Sequence, residues 1–216
     1  MVEEPINKQD YYFIPEIGWL PRVTNILNII SKGRAFDNWL MNKGKEATTI
    51  VSDAGDIGSS IHNRLEEIGK GIPFNIEALK ERERAWVEEF LSWGKDNIGR
   101  FLETEKTIYH AKEGYGGTLD ALIETKDKRI ALLDYKTSKY CYDTYDLQCS
   151  AYIRAYEDML KTKIDTAFIL RFEKGDKKPL LEVKEVKDIQ EQYEIFLCAL
   201  KLWKWKYDKY QESKNV

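Results

Sequence analysis

The stretch LLDYKTSK, residues 132–139, ends an apolar run in an aspartate and, two positions on, a lysine. Asp134 and Lys136 are the residue types that hold a cation and stabilise a developing negative charge. An upstream strand-like segment, GGTLDALIET at 116–125, supplies a second carboxylate, Asp120. If the two strands are joined by a five-residue turn, Thr125 to Arg129, Glu124 faces Ile130 and the ladder sets Asp120 opposite Asp134, with Cβ atoms about 5 Å apart. A four-residue turn would offset that pairing by one. Period-2 alternation places Lys136 on the same face as Asp134, roughly 6 to 7 Å along the strand. On a solvated face a salt bridge from Lys136 to one or both carboxylates would account for the pattern. The flanking IALL and TLDALI predict instead a sheet covered on both sides. There, two unpaired carboxylates cost on the order of several kcal/mol each, and a hard divalent cation with oxygen ligands satisfies them better than one lysine.

Other candidates stand on helical spacing. His62 and Glu66 in GSSIHNRLE lie one turn apart on one helix face; they form either a site pair or simply a stabilising pair. Histidine is scarce, with 2 in the chain, and the Gly-Ser-Ser segment before His62 permits close approach of another segment. Gln148 and Tyr152, also i and i+4, would present an amide and a phenol on one face, although a lone tyrosine there reads as core. The glycines at 114, 116 and 117 do not make a dinucleotide loop, because the third position of GxGxxG falls on Leu119 and a strand follows. They suit a tight turn, or a close backbone approach, beside Asp120. His110 reads as structural.

The elements that must position these residues follow from periodicity. Residues 11–23 read as short extended pieces broken by Pro15, Gly18 and Pro21, with Thr24 as the cap of a helix over NILNII. Residues 34–70 read as helical with interruptions at Gly44, Gly55 and Gly58 and a stop at Gly69, Gly71 and Pro73. A helix over 75–98 places Leu79, Trp86, Val87, Phe90 and Trp93 on one stripe. Beyond Gly99 come three strands, a helix over 144–160, two strands around the turn EKGDKK, and a helix from about 188 to 210. The expected fold class is α/β or α+β: a central mixed sheet flanked by helices. It would form one domain over 1–216, with a mainly helical part at 1–98, the catalytic sheet and its helix at 99–187, and a C-terminal helix at 188–216.

Bulk properties narrow the function classes. A formal charge of -3 argues against coating nucleic acid by overall electrostatics, while a local basic groove stays open. The 3 cysteines form no CxxC pair, which predicts free thiols in a reducing, cytoplasmic setting. No apolar run spans a bilayer, no secretory h-region opens the chain, and no GxxxxGK[ST] is present, so neither a membrane partner nor an ATP motor is expected.

Taken together, these motifs resemble the PD-(D/E)XK nuclease superfamily. Asp120, thirteen intervening residues, then Asp134-Tyr135-Lys136 is similar to its bipartite signature. GSSIHNRLE, GYGGTLD, LDYKTSK and QCSAY resemble, in order, the G-x-x-x-H-x-x-x-E, G-x-x-G-x-x-D, D-x-K-T and Q-x-x-x-Y motifs of the RecB-type exonuclease branch. LPRVTNIL is similar to a segment of phage and mitochondrial-genome-maintenance-type exonucleases.

The resemblance implies a restriction-endonuclease-like core and hydrolysis of DNA from its ends. It implies a Mg2+ or Mn2+ site formed by His62, Asp120, Asp134 and the backbone carbonyl of Tyr135, with Lys136 assisting and Glu66 behind His62. Gln148 and Tyr152 would position the substrate. The enzyme would act alone or beside separate replication or recombination proteins, and a phage or prophage origin fits. No iron–sulfur cluster is expected, because no cysteine precedes residue 141 and only three are present. Two rivals remain: a catalytically inactive nucleic-acid-binding or regulatory protein on the same fold, and an interaction protein with a buried salt-bridge network.

Overall fold

The computed structural model describes residues 7–30, 38, 41–44, 46–173 and 180–214. A short hairpin opens it: β1 (Tyr11–Ile14) and β2 (Gly18–Pro21) pair antiparallel, with Gly18 at φ 99 where only glycine is unstrained. Helix α1 (Val23–Leu27) follows directly. Its N-cap is Arg22 rather than the expected Thr24, and no side chain caps it. Helix α2 (Glu46–Gly69) runs unbroken through Gly55 and Gly58 and stops at Gly69, before Gly71 turns the chain at φ 67. The two glycines were expected to interrupt it, but a single glycine costs only about 1 kcal/mol in a helix. Helix α3 (Glu81–Asn97) begins later than its apolar stripe suggests, because the Asn75 side chain accepts from the Glu77 N–H and folds residues 76–78 into a separate turn. Of the expected helix over 34–70, residues 34–37, 39, 40 and 45 lie outside the described residues, as do 174–178 of the turn EKGDKK.

The central sheet has five strands in the order β3 (Ile98–His110), β4 (Tyr115–Thr125), β5 (Ile130–Lys136), β6 (Thr166–Phe172) and β7 (Leu181–Glu185). Only β5 and β6 are parallel, and helix α4 (Thr144–Leu160) makes the crossover between them. Helix α5 (Ile189–Lys214) closes the fold. This is the mixed α/β architecture expected from the sequence.

Two apolar layers sandwich the sheet. One joins α1, α4 and α5 to Ile108, Leu119, Leu122 and Leu132 through Ile26, Ile153 and Phe196. The other joins α2 and α3 to Ala121, Ile123, Leu133 and Tyr135 through Ile61, Leu65, Trp86 and Phe90. Covered on both faces, β5 can be a continuous apolar run, and each large side chain in it contributes about 1.5–3 kcal/mol. That burial makes the charges at its C-terminal end expensive, and their partners define the site.

Candidate active site

The β4–β5 turn has the expected length: Glu124 pairs with Ile130, and the rungs continue to Ala121 opposite Leu133. There the ladder ends. The next rung would set Asp120 against Asp134, but the Asp120 carboxylate instead accepts the Tyr135 backbone N–H at 2.6 Å through Oδ2. Face alternation also breaks at this rung. Leu119 packs toward α4, whereas Ala121 packs toward α2. On the neighbouring strand Glu105, between the pairs Thr104–Ala121 and Lys106–Leu119, sits at φ 47, a left-handed conformation costly for a glutamate. The paired irregularity turns Asp120 toward α2, where Asp120 Oδ1 lies 3.3 Å from His62 Nδ1.

Three donors therefore converge. One ligand atom each from His62, Glu105 and Asp120 lies within 4.8 Å of the others. Burial opposes a charge on Asp120, yet His62, Lys136 and the Tyr135 N–H outweigh it and hold its pKa below the ordinary value. His62 is raised: burial pulls it down, and the Asp120 carboxylate more than reverses that. Glu105, the exposed member, is pushed up by partial desolvation and then by the charges of Asp120 and Glu66. Two carboxylates beside an imidazole, one of them lifting the pKa of the other, form a donor set that one hard divalent ion would satisfy, and the mixed nitrogen and oxygen chemistry suits Mn2+ or Mg2+.

Asp134 has different company. Its Oδ2 lies 2.5 Å from Lys136 Nζ, and its Oδ1 accepts from Gln148 Nε2 at 3.0 Å. Gln148 Nε2 also bonds to the Tyr152 hydroxyl at 3.2 Å, so the i, i+4 pair on α4 clamps the second carboxylate. With its side chain 2% exposed, Asp134 is pushed up to about 6, burial outweighing the attraction of Lys136. Lys136 is raised, because its two carboxylate neighbours overcome its desolvation. Asp134 Oδ2 makes no well-aligned hydrogen bond despite the short ion-pair distance, which leaves it with acceptor capacity to spare.

The sequence-derived set is thus split. His62 and Asp120 meet at one centre, while Asp134, Lys136, Gln148 and Tyr152 form an adjoining network. Tyr135 links the two through its N–H, and its ring stands edge-on to His62 at 5.7 Å. Glu66 is tied to Lys70 and reaches the centre only through its field on Glu105. Glu105 has no place in the motifs; counting β3 against β4 from the Ala111–Gly114 turn is the signal that would have found it. The glycines beside Asp120 make room for aromatic rings. A Cβ on Gly116 would meet Tyr12 at 3.3 Å, and one on Gly117 would meet Tyr152 at 2.3 Å. Gly58, in the segment before His62, similarly lets Thr137 approach.

His62, Asp120, Lys136, Gln148 and Tyr152 share one cavity of about 420 Å3, which Tyr12 and Arg22 also line. His110 sits elsewhere, 3.5 Å from Asp158 and stacked on Tyr193. Among the described residues, no helix is long and apolar enough to cross a membrane.

No protein-family model matches this chain, and no curated protein matches it. Among solved structures, a proposed exonuclease from Eubacterium rectale aligns over 68% of this chain and 65% of its own, at 13% identity and a TM-score of 0.45. An alkaline exonuclease from Laribacter hongkongensis aligns over 90% of this chain and 94% of its own, at 15% identity and a TM-score of 0.32. At these identities and scores neither likeness carries a function over to this chain.

Proposed function

We propose that the protein is a metal-dependent nuclease that hydrolyses DNA phosphodiester bonds, working from strand ends. The observation that carries this reading is the convergence of His62, Glu105 and Asp120 within 4.8 Å, with His62 and Asp120 lining the same cavity as Lys136. His62, Glu105 and Asp120 would hold Mg2+ or Mn2+, while the adjoining Asp134 stays engaged with Lys136 and Gln148. When bound, the ion supplies a water of lowered pKa and neutralises charge on the phosphate.

The protein's own groups do the rest. Asp134 keeps the Lys136 ammonium charged and in place, and the ammonium donates to the non-bridging oxygen on which charge builds during attack. Gln148 fixes Asp134, and Tyr152 fixes Gln148. The Tyr135 N–H holds Asp120 against rotation. Action from ends, the RecB-type affiliation and a role in replication, recombination or repair rest on the motif resemblance.

A time course on 5′- and 3′-labelled single- and double-stranded oligonucleotides, with Mn2+, Mg2+ or chelator, tests the reading. Metal-dependent shortening from a terminus, lost in Asp120→Ala, is the expected result. Metal-induced thermal stabilisation without cleavage would leave a binding protein on this fold. No response to metal at all would leave a salt-bridge network.

A further inference from the structure

Arg22 lines the same cavity as His62 and Asp120, and nothing in the proposed chemistry uses it. Its backbone is pinned: its N–H donates to the Asp10 carbonyl at 3.0 Å, and the residue bridges to Gly116 of β4. Its side chain is also held in place. The guanidinium lies 4.2 Å from the centre of the Tyr12 ring and donates from Nη1 to the Tyr12 hydroxyl at 3.1 Å. That hydroxyl shares a hydrogen bond of 2.8 Å with Thr118 Oγ1. Thr118 stands two residues before Asp120 and lines the same cavity, so the chain Arg22, Tyr12, Thr118 leads along β4 to the acidic centre.

The guanidinium has no acidic partner among the described residues, and its Nε is buried with no acceptor. A partly buried cation without a carboxylate is costly, and a guanidinium fixed by stacking has already lost the rotamer freedom that binding would otherwise take. The other described arginines that are half-buried or buried all have carboxylates: Arg64 pairs with Glu67, Arg84 with Glu77, Arg129 with Asp127 and Glu185, Arg154 with Glu157, and Arg171 with Glu173 and Glu182. Among the described residues Arg22 has no anion, and the cavity it lines is a side from which one could come.

We propose that Arg22 binds a phosphate of the substrate strand that flanks the scissile linkage, and so sets the register of the strand over His62, Glu105 and Asp120. The Tyr12 ring and hydroxyl aim the guanidinium and take Nη1, and among the described residues nothing takes Nη2, which is left for a phosphate oxygen. Arg22 is a positioning residue, since it stands apart from the reacting atoms. This rests on the nuclease reading, and the test separates the two.

Single-turnover cleavage of a fluorescein-labelled single-stranded oligonucleotide in Mn2+ establishes activity first. Affinity is then measured by anisotropy in Ca2+ for wild type and Arg22→Gln, using oligonucleotides that carry one neutral methylphosphonate at successive linkages. A charge-assisted hydrogen bond predicts that Arg22→Gln weakens binding about 10- to 100-fold. Neutralising one particular linkage should cost wild type the same factor while costing Arg22→Gln little. Arg22→Lys should keep part of that coupling, and melting curves establish that the variants are folded. Arg22→Gln should raise KM far more than it lowers kcat. Coupling at no linkage, in wild type that cleaves, overturns the role of Arg22 alone. Wild type that neither cleaves nor binds overturns the nuclease reading, and this inference with it.

Discussion

Gly117→Ala is a sharp test of how the sheet and α4 build the site. The added methyl would lie 2.3 Å from Tyr152 Cε1, with two further ring atoms at 3.0 and 3.1 Å. Ordinary carbon contacts fall at about 3.5–4.0 Å, so the overlap exceeds 1 Å against one atom. The ring cannot simply swing away: Tyr152 is 5% exposed and its hydroxyl is bonded to Gln148. Overpacking of this kind costs about 1–3 kcal/mol, and for a chain of this size each kcal/mol lowers Tm by about 2–4 °C. The expected loss is therefore about 2 to 12 °C in a thermal melt, matched by a lower urea midpoint. In a Tyr152→Leu background most of the overlap is gone, so the same glycine change should cost at least about 1 kcal/mol less. An equal cost in both backgrounds, or none in wild type, would refute the close packing of Tyr152 over Gly117. The displaced ring should also loosen the hold of Gln148 on Asp134.

Further outcomes follow from the charges. Lys136→Met strands a carboxylate with a 2% exposed side chain and should destabilise the metal-free protein by about 3–5 kcal/mol in urea unfolding, with much of it recovered in the Asp134→Leu, Lys136→Met double variant. Asp134, pushed up to about 6, keeps a proton in the folded chain that the unfolded chain releases near pH 4, so folding favours its neutral form. Stability of metal-free wild type relative to Asp134→Asn should therefore fall by about 3 kcal/mol as pH rises from about 4 to about 6 and stay level above that; a relative rise over that window would contradict the burial argument. Mn2+ at about 100 times its Kd should add about 2.7 kcal/mol to wild-type stability. Glu105→Gln should need distinctly more Mn2+ for the same gain in calorimetry, and Asp120→Ala should show none.

Much of the scaffold is legible in the chain because local and tertiary preferences agree. The turn TKDK between two apolar runs fixes the β4–β5 register, and the helical period over Thr144–Leu160 places Gln148 and Tyr152 on one face. The centre itself is less legible. Glu105 falls in step with Glu103 and Thr107 like any solvent-facing strand charge, and only the pairing of β3 with β4, together with its left-handed φ, brings it beside Asp120. The expected opposition of Asp120 and Asp134 fails for a related reason. A backbone N–H is a better partner for Asp120 than a like charge, so the strands part at that rung. Arg22 is hidden altogether, since its role depends on how the β1–β2 hairpin lies over β4 and no periodicity encodes that.

The central claim is that one divalent ion binds where β3, β4 and α2 meet. Anomalous diffraction from crystals soaked in Mn2+ tests it most directly. The account predicts a single strong peak bonded to an imidazole nitrogen of His62 and to carboxylate oxygens of Asp120 and Glu105, absent from Asp120→Ala. A featureless map at those side chains in well-diffracting, soaked wild-type crystals would contradict it.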